Sequence, residues 1–218
     1  MDSKTKPFYK EGFLINVVLP QLTDGHDRVY VMRNCGQKFT SFTNYYKFLL
    51  MMCEYFQAKD YNNGVIGVFD YIDANVLEIV KTINIVEARQ LITIVTEGFS
   101  LRLKGVHFMT SSKAIDTLVS ILKQALSEKL AKRIHVHRDQ TSLKEHIPLK
   151  ILPIEYGGKE KSMYKLQDDL IDELESPDFM VHLREMQTAR TDESKRQTDK
   201  YNEAIIGMPG SFRTLSVD

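Results

Sequence analysis

Apolar and polar positions recur with two periods along this chain, and the periods divide it into elements. "RVYVMR" (28–33) sets Val29 and Val31 against Tyr30 and Met32, the two-residue period of a short strand. "TSFTNYYKFLLMMCEYFQA" places Phe42, Tyr45, Tyr46, Leu49, Cys53 and Phe56 at helical spacing, with Thr40 or Ser41 as the cap. "NNGVIGVFDY" (62–71) is a nearly continuous apolar run after a turn signal, and it reads as a strand buried on both faces. Residues 84–97 form a second helical pattern, with Ala88, Leu91, Ile92 and Val95 on one side. "FSLRLKGVHF" (99–108) reads as a strand in which Leu101 and Leu103 alternate with Arg102 and Lys104. After Gly105 its apolar side chains change face, to Val106 and Phe108. An amphipathic helical stretch follows at 111–133, then a strand at 133–137, "RIHVH". "LPIEYGG" (152–158) reads as a strand end closed by a turn, and 163–186 as helical. Strands separated by helix-length segments imply parallel βαβ units, so the fold class is α/β. Residues 187–203 are nearly devoid of apolar side chains and read as a mobile linker before a C-terminal tail.

Composition narrows the class. The 218 residues are 43% apolar, enough for one large globular domain. Formal net charge is zero, so no global field draws the chain to nucleic acid or membrane. The charge is nonetheless uneven. Residues 100–150 hold ten Lys and Arg against four Asp and Glu, and residues 166–203 hold eleven acids against five bases. Either the basic half meets a local anionic partner, or two solvated faces partly neutralise each other. Cys35 and Cys53 have no metal or redox spacing and fit free thiols in a reducing compartment. "MDSKTKPFYKEGF" lacks a signal-peptide apolar core, and no apolar run approaches 18 residues. The expectation is a cytoplasmic protein whose membrane contact is peripheral.

Candidate chemistry is sparse. A nucleotide site needs a glycine-rich turn at a strand's C-terminal end. Gly64 and Gly67 lie before and inside the strand instead. No G-x-S-x-G is present for a nucleophile elbow. His135 and His137 share a strand face, but with no Cys, Asp or Glu at ligand spacing they read as ordinary strand residues, and no metal is expected. The carboxylates of "QDDLIDELE" (167–175) suit a solvated helix face. Nothing demands catalysis. The stretch 111–133 is more informative: Ile115, Leu118, Val119, Leu122 and Leu126 form a wide apolar stripe, with Lys129, Lys132 and Arg133 beyond it. One reading is a core helix whose closing cations suit its dipole. The other is a helix that covers a pocket and meets membrane.

Four segments, "GVIGVFDY", "FSLRLKGVHF", "LSEKLAKRIHVH" and "ILPIEYGGK", occur in an order and spacing that closely resembles the CRAL-TRIO lipid-binding domain. The likeness is greatest to the branch of tocopherol and retinaldehyde carriers and runs from about residue 25 to 186. It implies an N-terminal remnant at 1–24, the lipid-binding domain at 25–186, and a polar linker and tail at 187–218. It implies a parallel-rich β-sheet flooring an apolar pocket, flanked by helices, with a mobile helical gate at about 111–127. By position in the family pattern, Phe69, Tyr71, Leu91, Ile92, Val95, Leu103, Val106, Phe108, Ile115, Leu118, Val119 and Leu122 line the pocket. Arg102, Lys104, Lys129 and Arg133 match basic positions that contact phosphoinositide phosphates. The implied ligand is a small hydrophobic lipid, tocopherol- or retinoid-like, with no other cofactor, and the implied partner is a phosphoinositide-containing endomembrane surface reached transiently. The chain is expected to act as a monomer, to bind no nucleic acid and to be no enzyme. Set against that family pattern, the chain is expected to start almost at the lipid-binding domain, without the helical module that usually precedes it. The resemblance leaves open whether the domain transfers its lipid between membranes or senses it and recruits a protein partner, for instance through the acidic segment 166–203.

Overall fold

The computed structural model describes residues 14–36, 42–189 and 192. A single five-stranded sheet runs β1-β2-β3-β4-β5 in chain order. Its strands are β1 (Leu14–Val18), β2 (Asp27–Asn34), β3 (Gly64–Asp70), β4 (Leu103–Met109) and β5 (Ile134–His137). β2 to β5 are parallel, as the helix-length connections require; β1 joins the edge of β2 antiparallel, Leu14 opposite Asn34 and Val18 opposite Tyr30. β1 was not expected: residues 1–24 read as a remnant, yet Leu14, Ile15 and Val17 are buried in the sheet.

The helices are α1 (Phe42–Lys59), α2 (Val76–Thr82), α3 (Ile85–Thr93), α4 (Ala114–Ala125), α5 (Glu128–Ala131), α6 (Gln140–Leu143), α7 (Met163–Leu174) and α8 (Pro177–Thr188). The chain divides into two compact units after Met180, and α8 crosses that division. Asn75 and Asn84 cap α2 and α3, each side chain accepting from backbone N–H groups of the first turn. α3 ends in a single π turn, Ile94–Gly98. Two long helical expectations are broken. The 111–133 stretch stops at Leu126, in extended conformation, and restarts behind Ser127, whose hydroxyl caps α5. The 163–186 stretch breaks at Ser176, and Pro177 opens α8 where its missing N–H costs nothing. The Thr40 and Ser41 caps and most of 187–218 lie outside the described residues.

"LPIEYGG" is not a strand end. Residues Ile154–Tyr156 form one 3₁₀ turn, closed by Gly157 at φ 71°. A β-carbon on Gly158 would lie 1.8 Å from the Leu152 carbonyl oxygen, so only glycine fits there. The turn anchors Tyr156, fully buried, whose hydroxyl donates to Asp70 at 2.8 Å.

The two sheet faces have different contents. Ile15, Val17, Val29, Val31, Ile66, Val68 and Met109 face a dense core completed by Leu143, Ile147, Leu152, Tyr156, Met163 and Leu166. Their neighbours in alternation, among them Tyr30, Gly67, Phe69, Val106 and Phe108, face α1, α3 and α4 across open space.

Candidate functional site

That open space is a cavity of about 220 Å³. Strands β2 to β5 floor it, and helices α1, α3 and α4 wall it. Ten of the twelve expected residues line it: Phe69, Tyr71, Leu91, Ile92, Val95, Leu103, Val106, Phe108, Leu118 and Leu122. Ile115 and Val119 are buried but do not reach it. The α4 stripe is wider than the cavity, so only its Leu118–Leu122–Leu126 row points inward. Phe42, Tyr45, Tyr46, Leu49, Cys53 and Phe56, the whole α1 stripe, also line the cavity, although the sequence marked them only as one helix face.

Among the described residues no charged side chain lines the cavity. Its polar atoms are chiefly phenols. The Tyr30 hydroxyl donates to Asn16 Oδ1 at 2.6 Å and lies 3.2 Å from that of Tyr45. Burial pushes the phenols of Tyr45 and Tyr71 well above their ordinary range, so both are neutral and able to donate. Phe69, Tyr71 and Phe108 stack on one another with ring centroids 5.4 to 6.5 Å apart. The lining fits a ligand that is apolar along its body and carries at most a small hydrogen-bonding group.

β4 explains the change of face after Gly105. Leu103 pairs with Val65 and Gly105 with Ile66, so Lys104 is an extra residue, a β-bulge. The bulge resets the alternation. Leu103 and Val106, odd partners in sequence, both reach the cavity. The sequence parity changes while the sheet face does not.

α4 roofs the cavity with few ties. Arg138 donates to the Ser112 carbonyl at 2.9 Å and to Asp116 at 3.2 Å, near the helix start. Arg89 donates to the Gln124 carbonyl at 3.0 Å, near its end. These contacts are exposed, and pairs of this kind contribute about 0–1 kcal/mol. Buried apolar contacts of Ile115, Leu118 and Val119 add to these ties.

The four expected cations divide. Arg102 donates to Asn63 Oδ1 at 3.5 Å, just ahead of β3. Arg133 donates to the Leu103 carbonyl, where β4 begins. Lys104 lies with its stem across Gly64 and its Nζ 3.5 Å from Asp27 Oδ1, where β2 begins. These three therefore gather at the starts of neighbouring parallel strands. Lys129 stands exposed on α5, one turn before Arg133. Lys104 departs from an open patch, since it is half-buried and already paired with a carboxylate.

On the other face, His107, His135 and His137 meet His146, with ring centroids 4.6 to 5.4 Å apart. The sequence identified only the pair on β5. Burial, then the neighbouring imidazoles, push His107 down to about 3 and His137 to about 4, so both are neutral at pH 7. Burial likewise raises the Asp70 carboxyl, against the pull of hydrogen bonds from Ile72 N and Tyr156 and of nearby Arg33.

Comparison with known proteins agrees with this architecture. The sequence pattern of the CRAL/TRIO domain matches residues 15–158, and the chain belongs to that family of lipid-binding and lipid-transfer domains. Over 72 residues, 33% of this chain, it is 39% identical to the alpha-tocopherol transfer protein-like proteins of Mus musculus and Homo sapiens. The match spans about a fifth of those relatives' length, 21%. The crystal structure of Sfh5 superposes with a TM-score of 0.53 at 15% identity, covering 80% of this chain and 64% of that one. That likeness speaks for the α/β fold alone. Among the described residues no helix is long and apolar enough to cross a membrane.

Proposed function

We propose that this domain holds a small hydrophobic lipid in the α1–α3–α4 cavity and passes it between membranes, with α4 as the gate and the basic cluster as the headgroup contact. The observation that carries the reading is the aromatic-rich cavity, uncharged among the described residues, roofed by an amphipathic helix whose ties through Arg89 and Arg138 are exposed. A lipid of tocopherol or retinoid size exposes on the order of 400 Å² of apolar surface, worth about 10 kcal/mol in water. The cavity removes that surface from solvent. At about 220 Å³ it is below the usual range of small-molecule pockets, and outward movement of α4 enlarges it for cargo of this size.

Outward movement exposes Leu118, Leu122 and Leu126, at about 1.5–3 kcal/mol for each side chain fully exposed. Water opposes the movement and a bilayer interface rewards it. The joint at Leu126–Ser127 connects the roof directly to α5 and so to Lys129 and Arg133. A phosphoinositide headgroup bound there, near Arg102 and Lys104, would hold the roof at the membrane. Lys104 takes part by exchanging Asp27 for phosphate.

Lys129→Ala tests the headgroup contact most cleanly, because the side chain is exposed and lies outside the cavity. At about 1 kcal/mol per basic residue near an anionic surface, it weakens binding to phosphoinositide vesicles about fivefold. Adding Arg133→Ala multiplies the loss. Unchanged vesicle affinity in the double variant removes the headgroup site. Transfer of a fluorescent tocopherol analogue between vesicle populations tests the rest, since a sensing module binds the analogue without moving it.

A further inference from the structure

We propose that His107, His135 and His146 form a binding site for one divalent transition-metal ion of the zinc class, on the sheet face opposite the lipid cavity. Each of the three offers a ring nitrogen, and these atoms all lie within 4.8 Å of one another. Tetrahedral coordination at about 2.0–2.1 Å from each nitrogen needs the donors roughly 3.4 Å apart. The gap to close is small, and the mobile member is apparent. His107 and His135 are fixed opposite each other in the β4–β5 ladder, whereas His146 is exposed on the turn after α6. That turn is pinned by buried Leu143 and Ile147 on either side of His146, so its backbone stays in place while the ring rotates inward.

A second observation concerns which nitrogen of His107 is free. Ser142 Oγ lies 3.2 Å from the Asp139 carbonyl, which can only accept, and 2.9 Å from His137 Nδ1; in the tautomer that binds metal the hydroxyl donates to the carbonyl and accepts from His137 Nδ1. His137 Nε2 is then an acceptor, and it takes the proton of His107 Nδ1 at 2.9 Å. The chain leaves His107 Nε2 as a bare lone pair. That nitrogen lies over Gly105, at a point only 2.6 Å from where a β-carbon would stand. A ligating histidine held by its other nitrogen through a hydrogen-bonded partner is the usual arrangement around bound metal. Here His137 is the positioning residue and Ser142 the anchor behind it.

The donor set selects the ion. Three imidazole nitrogens without carboxylate or thiolate suit Zn²⁺, Cu²⁺ or Ni²⁺ and disfavour Mg²⁺ and Ca²⁺, which require oxygen. Exposure of His146 leaves the fourth position to water.

The test is titration of the full chain with Zn²⁺ by calorimetry, and with Co²⁺ followed by its visible absorption. One ion per chain is expected, with the intense bands of four-coordinate nitrogen ligation for Co²⁺ and a raised melting temperature with Zn²⁺. His146→Gln removes an exposed ligand and leaves the fold intact. It lowers affinity by about 100-fold or more, beyond what second-shell losses produce. His135→Gln does the same, and His26→Gln, far from the cluster in sequence and exposed, changes nothing. Absence of saturable one-to-one binding overturns the proposal, as does affinity that survives His146→Gln or falls equally with His26→Gln.

Discussion

The two faces of the β-sheet are built from the same strands and behave differently. On one face Ile66, Val68 and Met109 join Leu152, Tyr156 and Leu166 in one buried apolar cluster. On the other, Gly67, Phe69 and Phe108 meet α1, α3 and α4 across a cavity. The packed face is filled by its own side chains, and the open face leaves apolar side chains turned toward the cavity. The contrast shows that apolar patterning alone does not distinguish core from pocket. Both faces of β3 are apolar, and only the elements laid against them decide which is filled.

The contrast is most severely tested at the turn beneath the packed face. Gly158→Ala sets a methyl group against the Leu152 carbonyl, and the expected loss exceeds about 4 kcal/mol, read as failure to yield folded protein. Next come matched truncations. Leu152→Ala on the packed face costs about 3–5 kcal/mol by urea unfolding, because it leaves a new hole. Leu118→Ala, as deeply buried, costs about 2–3 kcal/mol, because its space joins an existing cavity. Equal costs would erase the distinction between the faces.

Tyr156→Phe is smaller in effect. It strips the buried Asp70 carboxylate of a donor and costs about 1–3 kcal/mol at pH 7. Asp70 also sets a pH dependence. Its folded pKa is raised, so the folded state holds the proton more tightly than the unfolded chain. Stability from this group is full below the unfolded value and declines as pH rises through the folded one. Asp70→Asn abolishes that decline, which paired pH–stability curves of the two proteins will show. The smallest effect belongs to the open face. Arg89→Ala changes global stability by about 0.5 kcal/mol or less, while amide exchange in 114–125 accelerates several-fold. Unaltered exchange would mean that α4 is held by its apolar contacts alone.

Much of this was legible in the sequence. The α1 stripe had a clean 3.6-residue period, and all six of its marked residues reach the cavity. The parallel direction of β2 to β5 followed from the lengths between strands, whereas their order in the sheet was not read. β1 was missed because "FLINVV" is short and lacks the alternation that marked β2. Seven-residue α2 is too short to show a period. The bulge at Lys104 left a trace, the parity change at Gly105, but a one-residue insertion and a change of face look identical until the partner strand is known. The basic positions carried no local signal that Lys104 would be paired, since Asp27 lies on a different strand. The histidine cluster was illegible for the same reason: His107, the β5 pair and His146 come from three segments that only the fold brings together.

β4 has a consequence for communication across the molecule. Val106 and Phe108 point into the space for the guest, while His107, between them, points into the imidazole stack. Because one pleat of backbone separates the cavity from the imidazole stack, a guest that pressed this strand backward would carry the His107 ring with it.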